Sequence, residues 1–291
     1  MKRTPVRLAA RLLAVPLLLL TACAPVPEPG VAVPGAGAAA APGDVTELLA
    51  RFAGFPADRV PRPILLLHGR LVDHGYTTGD AKIAMSQGRL ELRAALPQSP
   101  ATVRVALPDG PADLPVISAR QAYDLIVAGG DPASAPDASP PPLVYTKVAL
   151  GEAVFATDRG PRTLPAWLFT SPQGLRPLAV AAPAESALWP VRYEDGVMDS
   201  SGLAADGVTL TVTLRAAPEP CPGQPKREYA AEAVETATAV AVRLRVVADA
   251  PASPDGGGDC ARDLMLRTAE YTVRLERPLG NRVLVNATGG L

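Results

Sequence analysis

The sequence predicts a β-rich α+β fold with mostly antiparallel sheets, two or three short helices in the N-terminal half, and a disordered N-terminal tether. Three observations lead there. Beyond about residue 200, apolar and polar residues alternate with period two, as on strands with one packed and one solvated face. Helix signals are confined mostly to residues 44–130. Strand and helix patterns nowhere alternate repeatedly, so a doubly wound parallel sheet is not expected.

Taken in order, Asp44-Val45-Thr46-Glu47 has the capping-box pattern and starts a short helix through about Phe52. Pro63-Ile64-Leu65-Leu66-Leu67 is a short apolar run between turn residues and reads as a buried strand. Ala81 to Gln87 makes a short helical turn stopped by Gly88. The stretches 89–93 and 103–107 alternate and read as half-buried strands. Ser118-Ala119-Arg120-Gln121 opens a second capped helix through Val127, closed by Gly129-Gly130.

A proline-rich loop over 131–142 precedes strands near 143–156, 164–170 and 176–181, and Asp158-Arg159-Gly160-Pro161 joins the first two as a hairpin. The pattern weakens from Ala182 to Asp206, which sets a module boundary near 200: residues 44–200 form a mixed α+β module and 201–291 an antiparallel β module. In the latter, Val208, Leu210, Val212 and Leu214 share one face. Val240, Val242, Leu244 and Val246 do the same, as do Tyr271, Val273 and Leu275. Arg282 to Val285 is a last short strand.

Ahead of all this stand the parts of a secretory signal. Lys2, Arg3, Arg7 and Arg11 are followed by the apolar run Leu12–Leu20 and then Thr21-Ala22-Cys23. That run is too short to span a hydrocarbon layer of about 30 Å as a helix. Leu20-Thr21-Ala22-Cys23 matches the lipobox of bacterial lipoproteins at all four positions. It makes 1–22 a lipoprotein signal peptide and Cys23 the lipidated mature N-terminus, since two acyl chains anchor a protein durably where one does not. Residues 23–43 are almost wholly Ala, Pro, Gly and Val, a composition expected to form a disordered tether.

The formal net charge of −1 conceals an acidic body: outside the signal, 24 basic and 29 acidic side chains leave −5. This balance argues against a nucleic-acid partner. No later apolar run approaches the ~18 residues of a spanning helix. Cys221 and Cys260 remain as an even pair in an exported chain, and a disulfide between them is expected. Closing that loop of roughly 40 residues stabilises by roughly 4 kcal/mol in the chain-entropy picture. The alternatives are two free thiols or a metal site, the latter without histidines nearby.

Catalytic signals are sparse. Leu65-Leu66-Leu67-His68-Gly69 resembles the oxyanion strand of an α/β-hydrolase, yet no Gly-x-Ser-x-Gly elbow exists and no histidine follows His74. His68, Asp73, His74 and Asp80 follow no standard metal spacing, so solvent-facing histidines and no metal are expected. Of the two tryptophans, Trp167 alternates with Pro165 and Phe169 within a strand pattern and reads as core. Asn286-Ala287-Thr288 matches a glycosylation acceptor by chance.

The lipobox, the stretch Thr157 to Phe169, the ending Val273 to Val285 and the mid-chain Ser118 to Tyr123 resemble uncharacterised lipoproteins of high-GC actinobacteria. Twenty-four arginines against four lysines fit such a genome. No catalytic residue is carried over from that resemblance, and no cofactor is expected. The functional expectation is therefore a non-enzymatic binding or interaction module, anchored at the extracytoplasmic face of the cell membrane, with an envelope protein or polymer as partner. A cell-envelope hydrolase with a site hidden from the linear sequence, or a structural assembly role, are the alternatives.

Overall fold

The computed structural model describes residues 45–135, 137, 139–216, 227–249 and 266–288. The expected β-rich α+β architecture is present. Helix α1 (Val45–Ala50) buries Val45 and Leu49, and the turn behind it buries Phe52 and Phe55. Two short strands follow, β1 (Ile64–Leu65) and β2 (Leu71–Val72). Helix α2 (Gly79–Ser86) is capped by Thr78, whose hydroxyl accepts from the Ala81 N–H at 3.2 Å. Strand β3 (Leu90–Leu92) then leads to a hairpin of β4 (Thr102–Leu107) and β5 (Gly110–Pro115). Helix α3 (Ala119–Ala128) carries the capping box its sequence predicts. Ser118 Oγ accepts from Gln121 N at 3.1 Å, and Gln121 Oε1 accepts from Ser118 N at 2.8 Å.

Strand β5 has no counterpart in the sequence reading, because Pro111 and Pro115 argue against a strand. It pairs only with β4, so the N–H groups those prolines lack face no second strand.

The largest sheet is built from β7 (Lys147–Thr157), β8 (Gly160–Thr170) and β9 (Leu178–Ala181), preceded in the chain by β6 (Leu143–Tyr145). Its order is β2-β9-β8-β7, all antiparallel. Asp158-Arg159 forms the two-residue turn of the β7–β8 hairpin, with Gly160 at φ +81°. Strand β8 is packed on both faces. Trp167 and Phe169 point into a core with α2 and α3, whereas Leu164 and Ala166 meet Phe155, Val105 and Leu114 on the other side. Strand β6 pairs with β3 in parallel.

A single 3-10 turn, Glu185–Ala187, leads into β10 (Leu188–Trp189), which runs parallel to β1 with Leu65 opposite Trp189. Five further strands follow among the described residues: β11 (Thr209–Arg215), β12 (Arg227–Glu235), β13 (Ala239–Asp249), β14 (Thr268–Arg274) and β15 (Val283–Asn286). The pairs β11–β14 and β12–β13 are antiparallel.

Two features of this part depart from a purely antiparallel, one-sided sheet. Strand β15 runs parallel to β13, with Ala239 opposite Val283. The chain re-enters beside the β12–β13 turn, where Val283 N donates to Thr238 O at 3.0 Å, so it can only run the same way as β13. The first half of β13 is also buried on both faces. Ala239 and Ala241 join Val45, Leu49, Phe52 and Leu65, while Val240 and Val242 join Leu210, Leu214 and Val273. Residues from both sides of position 200 therefore share one core. Each fully buried Leu, Val or Phe there contributes about 1.5–3 kcal/mol. No helix among the described residues is long and apolar enough to cross a membrane.

Candidate binding cleft and a buried charge cluster

The parallel β1–β10 pair lies between two cores. Leu65 joins the core beneath α1, whereas Ile64 and Leu66 join the one behind β8. Just after it the chain turns through Gly69 (φ +72°), and Arg70 follows. On the partner side, Leu188-Trp189-Pro190-Val191 leaves β10. These residues and Glu185 line a half-open cavity of about 340 Å³, within the range of small-ligand pockets (roughly 300–1,000 Å³).

Trp189 is half-buried and meets Phe55 edge-to-face, with ring centroids 5.3 Å apart at 85°. Arg70 is held by Nη2 donating to the Pro183 carbonyl at 2.8 Å. Burial lowers the Arg70 guanidinium from its usual value, and the charge of Glu185 opposes that shift. Among the described residues Arg70 and Glu185 close no ion pair with each other, so both charges remain available to a third group. Among the described residues no histidine, serine or cysteine lines the cleft. Its lining offers an aromatic and aliphatic wall, one cation and one anion.

A second constellation sits around the β7–β8 turn. Arg62 is 3% exposed and Asp158 4%. Arg62 donates to Asp158 Oδ2 from both terminal nitrogens, to the Asn281 carbonyl at 3.4 Å, and from its backbone N–H to Asp109 Oδ2 at 3.1 Å. Its guanidinium also lies 5.0 Å from the Phe55 ring centroid. Arg159 Nη1 reaches Asp109 Oδ1 at 2.6 Å, and Arg162 Nη2 donates to the Arg159 carbonyl at 2.7 Å. Burial raises the Asp158 carboxyl despite the charge of Arg62. For Asp109 burial also raises, but the Arg159 and Arg62 hydrogen bonds outweigh it and the net shift is downward. The Nε atoms of Arg62 and Arg162 are buried without a hydrogen-bond partner, a cost of about 1–3 kcal/mol for such a donor. These side chains line a pocket of about 20 Å³.

Of the residues the sequence singles out, Cys23, Cys221 and Cys260 lie outside the described residues, as does Asp44 of the first capping box. His68 and His74 are exposed. Asp73, between them in sequence, is engaged by its own turn: Gly75 N donates to it at 2.7 Å and the Tyr76 hydroxyl at 2.6 Å. Among the described residues no three metal-ligating side chains gather. Trp167 is fully buried, and its Nε1–H donates to the Ile117 carbonyl at 2.9 Å, so it is a core residue as expected. Asn286 is occupied locally, its Oδ1 accepting from Thr288 N at 2.8 Å.

Neither the cleft nor the charge cluster is legible in sequence. In the sequence Trp189 is simply one of two tryptophans, and its partners Leu66 and Arg70 come from a segment more than a hundred residues away. No family model, curated protein or solved structure matches the chain.

Proposed function

We propose that this protein is a lipid-anchored extracytoplasmic binding module whose ligand enters the Trp189 cleft. The observation that carries the reading is the cleft itself. An indole and aliphatic wall stands beside a cation and an anion that form no salt bridge with each other, so the favoured ligand has an apolar face and carries polar groups of both kinds. The lipobox at Leu20 to Cys23, and the resemblance to actinobacterial lipoproteins, support placement on the outer face of the cell membrane. The Ala/Pro/Gly stretch 23–43 would act as a spacer there.

Anchoring is tested by replacing Cys23 with Ser, which is expected to release the protein or stall it unprocessed. Normal processing with unchanged membrane retention would overturn the address. Binding is tested by intrinsic fluorescence of the full chain in detergent, because Trp167 is sealed in the core and Trp189 is not. Titration with soluble peptidoglycan fragments, envelope polysaccharide and short peptides is expected to give a saturable change with one of these classes, lost in Trp189→Phe. If no class gives one, while the same preparation turns over a hydrolase substrate, the binding reading gives way to an enzyme.

A further inference from the structure

We propose that the pocket between Arg62, Arg159 and Arg162 binds one small monovalent anion of halide size, at a site separate from the Trp189 cleft. Three parts of the chain build it. Arg62 precedes β1, Asp109 sits in the β4–β5 turn, and Asp158, Arg159 and Arg162 surround the β7–β8 turn. Three guanidinium groups meet two carboxylates, which leaves one positive charge in excess.

The carboxylates are already engaged. Asp109 takes Arg159 Nη1 and the Arg62 backbone N–H, and Asp158 takes both terminal nitrogens of Arg62. Thr157 is used within its own turn, its hydroxyl donating to the Gly160 carbonyl at 2.6 Å. Two donors are left over, the Nε–H groups of Arg62 and Arg162, both buried and unpartnered. Arg62 is 3% exposed, so its Nε–H is shielded from bulk solvent.

A single anion satisfies the spare donors and the spare charge together. Water would accept the same two bonds but would have to place its own protons. It could give those to the remaining acceptor positions of Asp109 and Asp158, but it would leave the excess positive charge unanswered, as an anion would not. Size makes the selection among anions. About 20 Å³ admits one or two groups of water size, whereas sulfate and phosphate each bring five heavy atoms. The bound ion would tie the segment before β1 to the β7–β8 hairpin.

The test uses the full chain in detergent. Crystals grown in sodium bromide, measured at the bromine edge, are expected to show an anomalous peak within hydrogen-bond reach of Arg62 Nε and Arg162 Nε. At constant ionic strength, exchanging gluconate for chloride or bromide is expected to raise the melting temperature by about 2–4 °C. Arg162→Gln should abolish that rise. A water with no anomalous signal at the position, a melting temperature indifferent to halide, or equal stabilisation by sulfate would each overturn the assignment. The bromide map on the unaltered chain decides the matter even if Arg162→Gln does not fold.

Discussion

Arg282 Nη1 lies 2.6 Å from Glu235 Oε2, and neither side chain exposes a tenth of its surface. The same guanidinium donates to the carbonyls of Arg277 at 2.8 Å and Pro278 at 2.9 Å. One buried cation thus ties the loop before β15 to the end of β12, the place from which β15 runs parallel to β13. Removing one partner of a buried pair leaves the other charge stranded. Arg282→Met is therefore expected to destabilise by about 3–5 kcal/mol in denaturant unfolding, and the double variant with Glu235→Leu should recover part of that loss. A loss within experimental error of zero would show that the pair does not hold the loop.

Two carboxylates make stability fall in acid. At Glu235 burial raises the carboxyl, but hydrogen bonds from Arg282 and from Glu276 N outweigh it and hold it below the usual range. Asp206 is pushed down to about 2 by the N–H and hydroxyl of Thr209 and the N–H of Val208. Both groups bind protons more weakly when folded. Their contribution is fully present above the unfolded carboxylate value of about 4, and it is lost as pH falls through the folded one. Carbon-detected NMR should place the Asp206 midpoint near 2, and Asp206→Asn should flatten the decline of melting temperature below pH 4. An ordinary midpoint for Asp206 would contradict this.

The two tryptophans should separate in their effects. Trp167→Ala removes a fully buried indole together with its bond to Ile117 O, and is expected to cost about 3–5 kcal/mol. Trp189→Phe, at a half-buried position beside the cleft, should cost far less. Calorimetry of the two variants reads the difference, and equal losses would remove the distinction between core and cleft.

Gly130 does more than end a helix. A Cβ placed there would stand 2.3 Å from Gly88 Cα, so the turns after α2 and α3 touch through their backbones. Gly130→Ala must push them apart and is expected to destabilise by about 1–3 kcal/mol. Gly54→Ala, with open space around its Cβ, is the control. If both variants melt together, the close approach is not a constraint.

The proposed bridge between Cys221 and Cys260 is checked by alkylation and mass spectrometry without reduction. Chain exported by its own host should show no modifiable thiol at either position. Cys221→Ser should lower stability by about 2–4 kcal/mol. Alkylation at both positions would refute the pairing.

By itself the sequence determined the local elements. The Ser118 and Gln121 capping box, the Asp158-Arg159 hairpin turn and the alternation of Leu210, Val212 and Leu214 each depend on residues a few positions apart, so their patterns survive in one dimension. It also shows the lipobox, whose reading needs no fold. Tertiary structure alone decided the rest. Arg62 meets Asp158 across 96 positions. Leu65 pairs with Trp189 in parallel, and β13 is covered on both faces because α1 returns to pack on it. A side chain's reach across space leaves no periodic trace along the chain, and that is why the cleft and the arginine pocket appear only once the strands are laid together.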